Sequence, residues 1–222
     1  KPKVQLIVNY LLDWDFNLDK DSKQATIYQV LMYKIVRRLV ENDLGKELTD
    51  EFIGEGKHPL LLPTSELLGH TTEAIFKMFQ NPQSLWLKSN EDIIDLLEQS
   101  MIDTYRWLKD SLGEEENWKW GDIHKGVFRH GMSIKEPLDK ILNIGPFAVG
   151  GDTDTVFQTA YNPKSPYHAT EWCPAVRIIM DVGKWDNSVV ISPPGQIGVL
   201  GSDHFDDLVP LWLKGEYIPM LW

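Results

Sequence analysis

The side chains most able to do chemistry gather in two short segments. They are Asp122, His124 and His130 in the first segment, and Asp203, His204, Asp206 and Asp207 in the second. Imidazole and carboxylate groups are common zinc ligands, so one hypothesis is a metal-dependent hydrolase that uses His124, His130 and His204. The step from His124 to His130 suits neither one helix face nor the usual spacing of paired histidine ligands, and no His-Glu-x-x-His motif occurs. We therefore expect these side chains to bond to backbone in a loop-rich region, and we predict no metal site.

A nucleophile is equally hard to find in this sequence. Cys173, the single cysteine, cannot form an internal disulfide, precedes Pro174 and has no identifiable histidine partner. An N-terminal nucleophile must be serine, threonine or cysteine as the first residue, because its own α-amino group serves as the base, and this chain starts at Lys1. Cleavage before Ser202 would expose a serine, but the short segment that follows could not supply the sheet to hold it. Taken alone, the chain lacks a catalytic centre.

The glycine- and aspartate-rich segment 150–155 invites two further hypotheses, a phosphate cradle and a calcium loop. A P-loop requires Gly-Lys-Ser/Thr at the start of a helix, and an EF-hand loop requires a glycine and a distal glutamate at set positions. The segment meets neither requirement. We predict a turn, because glycine tolerates positive φ and aspartate bonds to its own backbone.

Nine tryptophans in 222 residues are unusual. Aromatic faces stack on sugars, so a non-catalytic, tryptophan-rich binding or interaction module is an alternative to an enzyme. However, Trp14, Trp107 and Trp212 fall within periodic apolar patterns. We therefore expect most tryptophans to be core or subunit-interface anchors.

Composition limits the remaining classes. The chain is 42% hydrophobic and 25% charged, with a formal net charge of -11. This length and apolar content can bury the core of one fair-sized domain or two small ones. The negative charge repels phosphate backbones and anionic lipids, and no apolar run approaches the ~20 residues that span a bilayer, so we expect neither a nucleic-acid nor a membrane partner.

The elements that would position these residues change near residue 120. Residues 1–120 contain five of the sixteen glycines, whereas residues 121–222 contain eleven. In the first part, apolar residues at steps of three and four predict a helix capped by Asp21 or Ser22. The same pattern predicts helices from about residue 66 to 79 and from Asn90 to the glycine at 113. We predict a helical segment over 1–120.

Residues 121–222 contain segments whose composition is typical of β-strands. Residues 156–161, 175–180 and 188–191 are rich in β-branched and aromatic side chains. The last two are predicted to form an antiparallel hairpin that ends at Pro193-Pro194-Gly195, and a terminal helix is predicted over 205–213. The sequence thus predicts an α+β fold in one continuous domain fragment, with strands concentrated in 121–222.

Five ordered motifs then identify a resemblance to a known family. They are Trp118-Lys119-Trp120-Gly121-Asp122-Ile123-His124, Gly145-Pro146-Phe147-Ala148-Val149-Gly150-Gly151-Asp152, Pro193-Pro194-Gly195-Gln196, Asp203-His204-Phe205-Asp206-Asp207 and Leu211-Trp212-Leu213-Lys214-Gly215-Glu216-Tyr217. In this order they resemble the C-terminal part of the β subunit of the penicillin amidase (penicillin acylase) family. Segments 12–15 and 26–29 resemble the helical region of the same family.

The resemblance implies an amidohydrolase with an N-terminal nucleophile, made as a precursor and cut autoproteolytically into α and β chains. It implies that this chain completes an αββα sandwich of antiparallel sheets and is inactive alone. The serine nucleophile and the oxyanion-binding asparagine of the family are expected upstream of Lys1, as are most calcium ligands that some members carry. No cofactor is expected within the chain. The implied partners are the rest of the β chain, the α chain and a small amide substrate. A periplasmic or extracellular location is compatible with the resemblance, but the residues indicate no compartment.

The chain departs from the family pattern at three places. Ile197 stands where the family commonly has serine, Phe205 where it has tyrosine and Leu208 where it has glutamine. The lost polar groups indicate that these motifs support structure more than turnover. His204 and Asp206 are the candidates for groups that orient neighbouring backbone, and we expect a salt bridge or a helix-end cap from them.

Overall fold

The computed structural model describes residues 1–53, 66–81, 90–161, 167 and 169–220. The helices in this part are α1 (Pro2–Leu12), α2 (Lys23–Phe52), α3 (Glu66–Gln80), α4 (Asn90–Leu112), α5 (Trp120–Ile123), α6 (Leu138–Leu142) and α7 (Val209–Lys214). The strands are β1 (Lys125–Phe128), β2 (Ile144–Ala148), β3 (Ala160–Tyr161), β4 (Ala169–Trp172), β5 (Arg177–Ile179), β6 (Val189–Ile191) and β7 (Ile218–Pro219). The predicted α+β class is confirmed. Within the described residues, no helix is both long and apolar enough to cross a bilayer.

The three predicted long helices are confirmed. Helix α2 begins after Ser22, whose Oγ accepts a hydrogen bond from the Ala25 backbone N–H at 3.1 Å. This bond satisfies one of the free N–H groups of the first turn. The helix continues past a kink at Gly45, beyond which Asp50 is buried and receives hydrogen bonds from Arg37 (2.8 Å) and Lys46 (2.9 Å). The bond from Arg37 joins the segment before the kink to the segment after it, whereas Lys46 and Asp50 both lie after the kink.

Helix α1 was not predicted. It has a proline at its first position, where the missing N–H costs nothing, and it buries Ile7 completely. Its apolar residues Val4, Ile7 and Leu11 follow the same steps of three and four as the other helices.

The chain forms two compact units. Unit 1 comprises Lys1–Lys125 and Ala148–Thr170, and unit 2 comprises Gly126–Phe147 and Glu171–Trp222. Each unit consists of two separate segments of the chain. The predicted division at residue 120 marks a change in secondary structure, and it does not coincide with the boundaries of these units.

Unit 1 has two hydrophobic core clusters, and α2 contributes to both. The first includes Leu31, Ile35, Val36, Leu39, Val40, Ile53, Ile75 and Leu96. The second includes Ile7, Ala25, Ile27, Val30, Leu108, Trp118, Trp120 and Ile123. Burial of each large aliphatic side chain contributes about 1.5–3 kcal/mol, so this packing accounts for the regularity of the helical region.

Unit 2 contains a three-stranded antiparallel sheet in the order β5-β6-β7. In β5 and β6, Ile178 lies opposite Val190, and in β6 and β7, Val190 lies opposite Ile218. The predicted hairpin of 175–180 and 188–191 is therefore confirmed, with strands shorter than predicted.

Two predicted elements are partly wrong. Of the strand predicted over 156–161, only Ala160–Tyr161 is extended, because Thr155 Oγ1 bonds to the Asp152 N–H and to the Phe157 carbonyl and so closes a turn. The helix predicted over 205–213 begins only at Val209. Ahead of it, the Leu208 N–H donates to the carbonyl of Pro194 instead of a helical partner.

Candidate functional site

His204 and Asp206 lie in the loop that precedes α7. The imidazole Nδ1 of His204 is 2.9 Å from Oδ2 of Asp207, and this hydrogen bond and the charge of Asp207 raise the pKa of His204. The Asp206 side chain is exposed, and its carbonyl accepts a hydrogen bond from Val209 N–H at 3.1 Å. The ion pair of His204 is therefore made with Asp207. A role for His204 and Asp206 in orienting neighbouring backbone stays a prediction.

The motif at 193–196 packs on this same loop. The Ile197 N–H donates to the His204 carbonyl and the Leu208 N–H to the Pro194 carbonyl, both at 3.1 Å. A Cβ at position 195 would overlap the His204 carbonyl oxygen, so the motif requires glycine there. We call residues 193–198 and 203–208 the paired loops. Two motifs that are separate in the sequence thus form one structural feature of unit 2.

His130 borders a cavity of about 430 Å³ in unit 2, lined largely by apolar side chains such as Phe128 and Leu142. Its Nδ1 accepts from the Met132 N–H at 3.1 Å, and its Nε2 lies 2.9 Å from the Gly198 carbonyl. A carbonyl can only accept, so Nε2 carries the proton and the ring is held in one tautomer. Both ring nitrogens are used internally, which makes His130 unsuited to act as a general base.

His124 is fully buried in unit 1. Its Nδ1 is 2.8 Å from the Tyr167 carbonyl and its Nε2 is 3.0 Å from Thr159 Oγ1. The Trp120 ring stacks on the imidazole, with centroids 4.3 Å apart and an interplanar angle of 14°. The four-residue step from Trp120 to His124 brings two motif residues into contact.

The pair of Thr159 and His124 has the contacts of a nucleophile and its base. Both side chains are 0% exposed, however, and Thr159 Oγ1 donates to the Gly150 carbonyl at 2.6 Å. A substrate carbonyl cannot reach this hydroxyl without unfolding the surrounding loops. The two side chains therefore hold the backbone carbonyls of Tyr167 and Gly150 in place.

The segment 150–155 is the predicted turn, and it is anchored on all sides within unit 1. Asp152 Oδ2 accepts from Gln29 Nε2 at 2.6 Å, and Tyr161 Oη donates to Gln29 Oε1 at 3.3 Å. Gly151 has φ +77, and a Cβ there would overlap the Phe157 carbonyl oxygen, so only glycine fits.

The first two motifs meet at this turn. The Trp120 indole N–H donates to the Gly151 carbonyl at 2.8 Å, and the Val149 N–H donates to the His124 carbonyl at 3.2 Å. We call Gln29, Trp120, His124, Asp152 and Thr159 the buried polar cluster. It was not predicted, because it joins residues as far apart as Gln29 and Asp152.

The described residues do not assemble a metal site. Among them, no three His, Cys, Asp or Glu side chains come close enough to share an ion. Asp15 and Asp19 lie in an acidic loop at 13–21, but each carboxylate accepts a hydrogen bond from a backbone N–H of that loop.

Cys173 has no disulfide partner in the described residues, and burial raises the pKa of its thiol to about 11. At neutral pH the thiol stays protonated and is a poor nucleophile.

The tryptophans serve mainly as packing residues. Trp118, Trp120 and Trp212 are among the largest fully buried side chains. Trp14 and Trp107 are partly buried and pack against the second core cluster. Of the tryptophan side chains that the structure describes, Trp185 alone is largely exposed. The tryptophans that the structure describes do not form the aromatic platform that a sugar-binding module requires.

Comparison with known proteins identifies the family. The penicillin amidase family model matches residues 1–222. The acyl-homoserine lactone acylase QuiP of Pseudomonas aeruginosa (strain ATCC 15692) is 25% identical over 224 residues, which are 94% of this chain and 26% of that relative. The penicillin acylase 2 proenzyme of Pseudomonas sp. (strain SE83) is 34% identical over 213 residues, which are 96% of this chain and 26% of that relative. The chain thus spans about a quarter of the length of the curated relatives that it matches. Because the family model matches the whole chain, the chain belongs to the penicillin amidase family.

Proposed function

We propose that this chain is the C-terminal section of the β subunit of an N-terminal nucleophile hydrolase that cleaves linear amides by acyl transfer. In this proposal the hydroxyl of a terminal serine outside residues 1–222 attacks the amide carbonyl, and the α-amino group of that serine takes the proton. An asparagine side chain and a backbone N–H stabilise the oxyanion. The amine leaves with a proton, and water then hydrolyses the acyl-enzyme.

One observation carries the proposal. A family of acylases matches the whole chain, yet the chain accounts for only about a quarter of each relative. Within the described residues, the best-placed hydroxyl and imidazole pair is buried and fully engaged. The reacting groups are therefore assigned to the longer polypeptide, and this section is assigned the role of scaffold. The sheet of unit 2 would form part of an αββα sandwich.

The relatives support the reaction class without choosing a substrate. One is named for acyl-homoserine lactones and another for penicillin, and both names denote acylases. Acyl transfer from an amide nitrogen is the chemistry that the two share. We therefore propose a linear amide as the substrate class.

The test uses the full-length polypeptide from the source gene. After maturation, mass spectrometry should find a new chain that begins with serine, threonine or cysteine. Amine release should be measured from an N-acyl-homoserine lactone and from a penicillin with a linear side-chain amide. Alanine at the new N-terminal position should abolish turnover of every substrate, while the 222-residue chain alone should be inactive. A full-length protein that releases no amine but binds soluble glycans saturably would favour the alternative of a binding module.

A further inference from the structure

Three short polar contacts follow one another around the imidazole of His124. Its Nδ1 lies 2.8 Å from the Tyr167 carbonyl oxygen, and its Nε2 lies 3.0 Å from Thr159 Oγ1. The same Thr159 hydroxyl lies 2.6 Å from the Gly150 carbonyl oxygen. His124 and Thr159 are both 0% exposed. Buried polar atoms at these distances are hydrogen-bonded, so each of the three contacts contains one proton.

A neutral histidine does not supply enough protons for these contacts. A carbonyl oxygen can only accept, so Nδ1 carries a proton for Tyr167, and the Thr159 hydroxyl gives its single proton to Gly150. The contact between Nε2 and Thr159 Oγ1 then needs a further proton, which the hydroxyl no longer has. Each ring nitrogen forms one in-plane bond, so this proton must be on Nε2. Both ring nitrogens are therefore donors, which is the state of the charged imidazolium.

The stacked tryptophan favours a charged ring at this buried position. Burial by itself favours the neutral form of histidine, because it removes the charge from water. Here the face of Trp120 lies against the imidazole, with centroids 4.3 Å apart. An indole face attracts a cation, and the attraction is strongest where water is excluded. This contact offsets part of the cost of burying the charge.

A buried carboxylate in the same cluster supplies the opposite charge. Asp152 is 8% exposed, and its oxygens accept from Gln29 Nε2 at 2.6 Å and from the Asp154 N–H at 2.9 Å. In the part of the chain that the structure describes, no lysine or arginine forms an ion pair with Asp152. The Thr159 N–H donates to the Asp152 carbonyl at 3.0 Å, so Thr159 connects the segment that carries this carboxylate to the imidazole.

The other titratable groups near the cluster do not supply this positive charge. Burial raises the pKa of Tyr161 and of Tyr167, so both phenols stay neutral. The remaining titratable residues on the surrounding described segments are Tyr28 and Tyr33 of α2, Asp122 and Lys125 beside His124 in the sequence, and Asp154 of the turn.

We infer that His124 is an imidazolium in the folded protein, a buried cation that balances the Asp152 carboxylate and makes the buried polar cluster sensitive to loss of this proton at alkaline pH. The charged ring donates to the Tyr167 carbonyl and to Thr159, which in turn donates to the Gly150 carbonyl. The second ring proton thus completes the hydrogen bonds that hold the turn at 150–155.

Selective ¹⁵N labelling of histidine in the full-length protein tests the charge of the ring. The two ring nitrogens resonate close together in an imidazolium and far apart in a neutral ring. The His124 signals are identified by their shift in the Thr159→Ser variant. At about pH 7.5, a histidine of ordinary pKa is neutral in about ten molecules of eleven. We expect His124 to keep both ring protons in more than half of the molecules at this pH, and a neutral ring would overturn the inference.

Two substitutions of Thr159 test the proton count. Thr159→Val removes the hydroxyl that receives the second ring proton, so His124 should become neutral at a pH where the parent ring is still charged. Thr159→Ser keeps the hydroxyl and should keep the imidazolium. The same ring charge in both variants would overturn the inference.

The dependence of stability on pH has opposite signs for the two charge states. A folded imidazolium contributes stability that is fully present below the ordinary histidine pKa of about 6.5 and is lost as the pH rises through the value at which the folded ring loses its proton. The excess melting temperature of the parent over His124→Leu should therefore shrink between about pH 6 and about pH 9. A buried neutral histidine predicts that the excess falls on acidification, because only the unfolded chain then takes up the proton. An excess that is constant or grows with pH would overturn the inference.

Discussion

The two units place their apolar side chains differently. Among the described residues, the exposed large apolar side chains number seven in unit 1 and fourteen in unit 2, although unit 2 is the shorter. Unit 1 packs its apolar surface into two core clusters around α2. The difference shows that unit 1 buries most of its large apolar side chains in its own core, whereas unit 2 leaves more of them exposed.

The histidines show the same contrast at the level of single residues. In unit 1, His124 has no exposed surface and both its ring nitrogens meet buried partners. In unit 2, the side chain of His204 is 63% exposed and pairs with an aspartate of its own loop. Loss of a buried hydrogen bond costs far more than loss of an exposed ion pair, so the two histidines should respond very differently to substitution.

The largest effect is expected in the core of unit 1. Trp120→Ala removes a fully buried ring and its hydrogen bond to the Gly151 carbonyl, which should cost about 3–5 kcal/mol. Leu12→Ala, at a position that is 80% exposed in the same unit, is the matched control and should be nearly silent. Chemical denaturation of the full-length protein, followed by tryptophan fluorescence, measures both. Equal losses would show that unit 1 does not have the core described.

His124→Leu should have the next largest effect. The leucine keeps the bulk of the ring but removes its hydrogen bond to the buried Tyr167 carbonyl, at a cost of about 1–3 kcal/mol. The comparison variant is His204→Leu, which should leave the melting temperature unchanged. Calorimetry of both proteins checks the contrast, and a larger shift for His204→Leu would reverse it.

Gly195→Ala tests the paired loops of unit 2. The added methyl group would overlap the His204 carbonyl oxygen, so the loops must separate at a cost of about 1–3 kcal/mol. Gly131→Ala is the control, because a Cβ there meets nothing within 4 Å. Limited proteolysis should cut Gly195→Ala within 193–208 faster than the parent protein. If the two variants were cut at equal rates, the contact between position 195 and the His204 carbonyl would not be the reason why glycine is required there.

The smallest effect concerns pH. Asp207 raises the pKa of His204, so the ion pair is complete below the ordinary histidine pKa of about 6.5 and is lost as pH rises through the raised value. Asp207→Asn should therefore lower the pKa of His204, while Asp206→Asn should not change it. NMR titration of labelled histidines in the two variants measures this. A drop with Asp206→Asn alone would show that His204 pairs with Asp206 and not with Asp207.

Much of the helical region could be predicted from sequence, because amphipathic periodicity and a serine cap are local signals. Helix α1 carried the same signals and could have been found from Pro2 and the steps between Val4, Ile7 and Leu11. The strand predicted at 156–161 failed where side-chain hydrogen bonds of Thr155 overrode the β propensity of its neighbours.

The sites were harder to predict, because their partners are distant in sequence. The sequence has three aspartates near His204, at 203, 206 and 207, and only the folded loop shows that the imidazole pairs with Asp207. No local pattern links Gln29 to Asp152, whose side chains meet only through the fold. The motifs identified the family correctly, while the reason for their glycines emerged only from the packing of carbonyl oxygens against Gly151 and Gly195.

The most direct test of the central claim is to trap the acyl-enzyme. Full-length protein should be mixed with an amide substrate, quenched in acid during turnover and digested, and the acylated peptide identified by mass spectrometry. We predict the acyl group on a terminal serine, threonine or cysteine outside residues 1–222. An acyl group on Thr159, Cys173 or Ser202 would contradict the assignment of this chain as a scaffold.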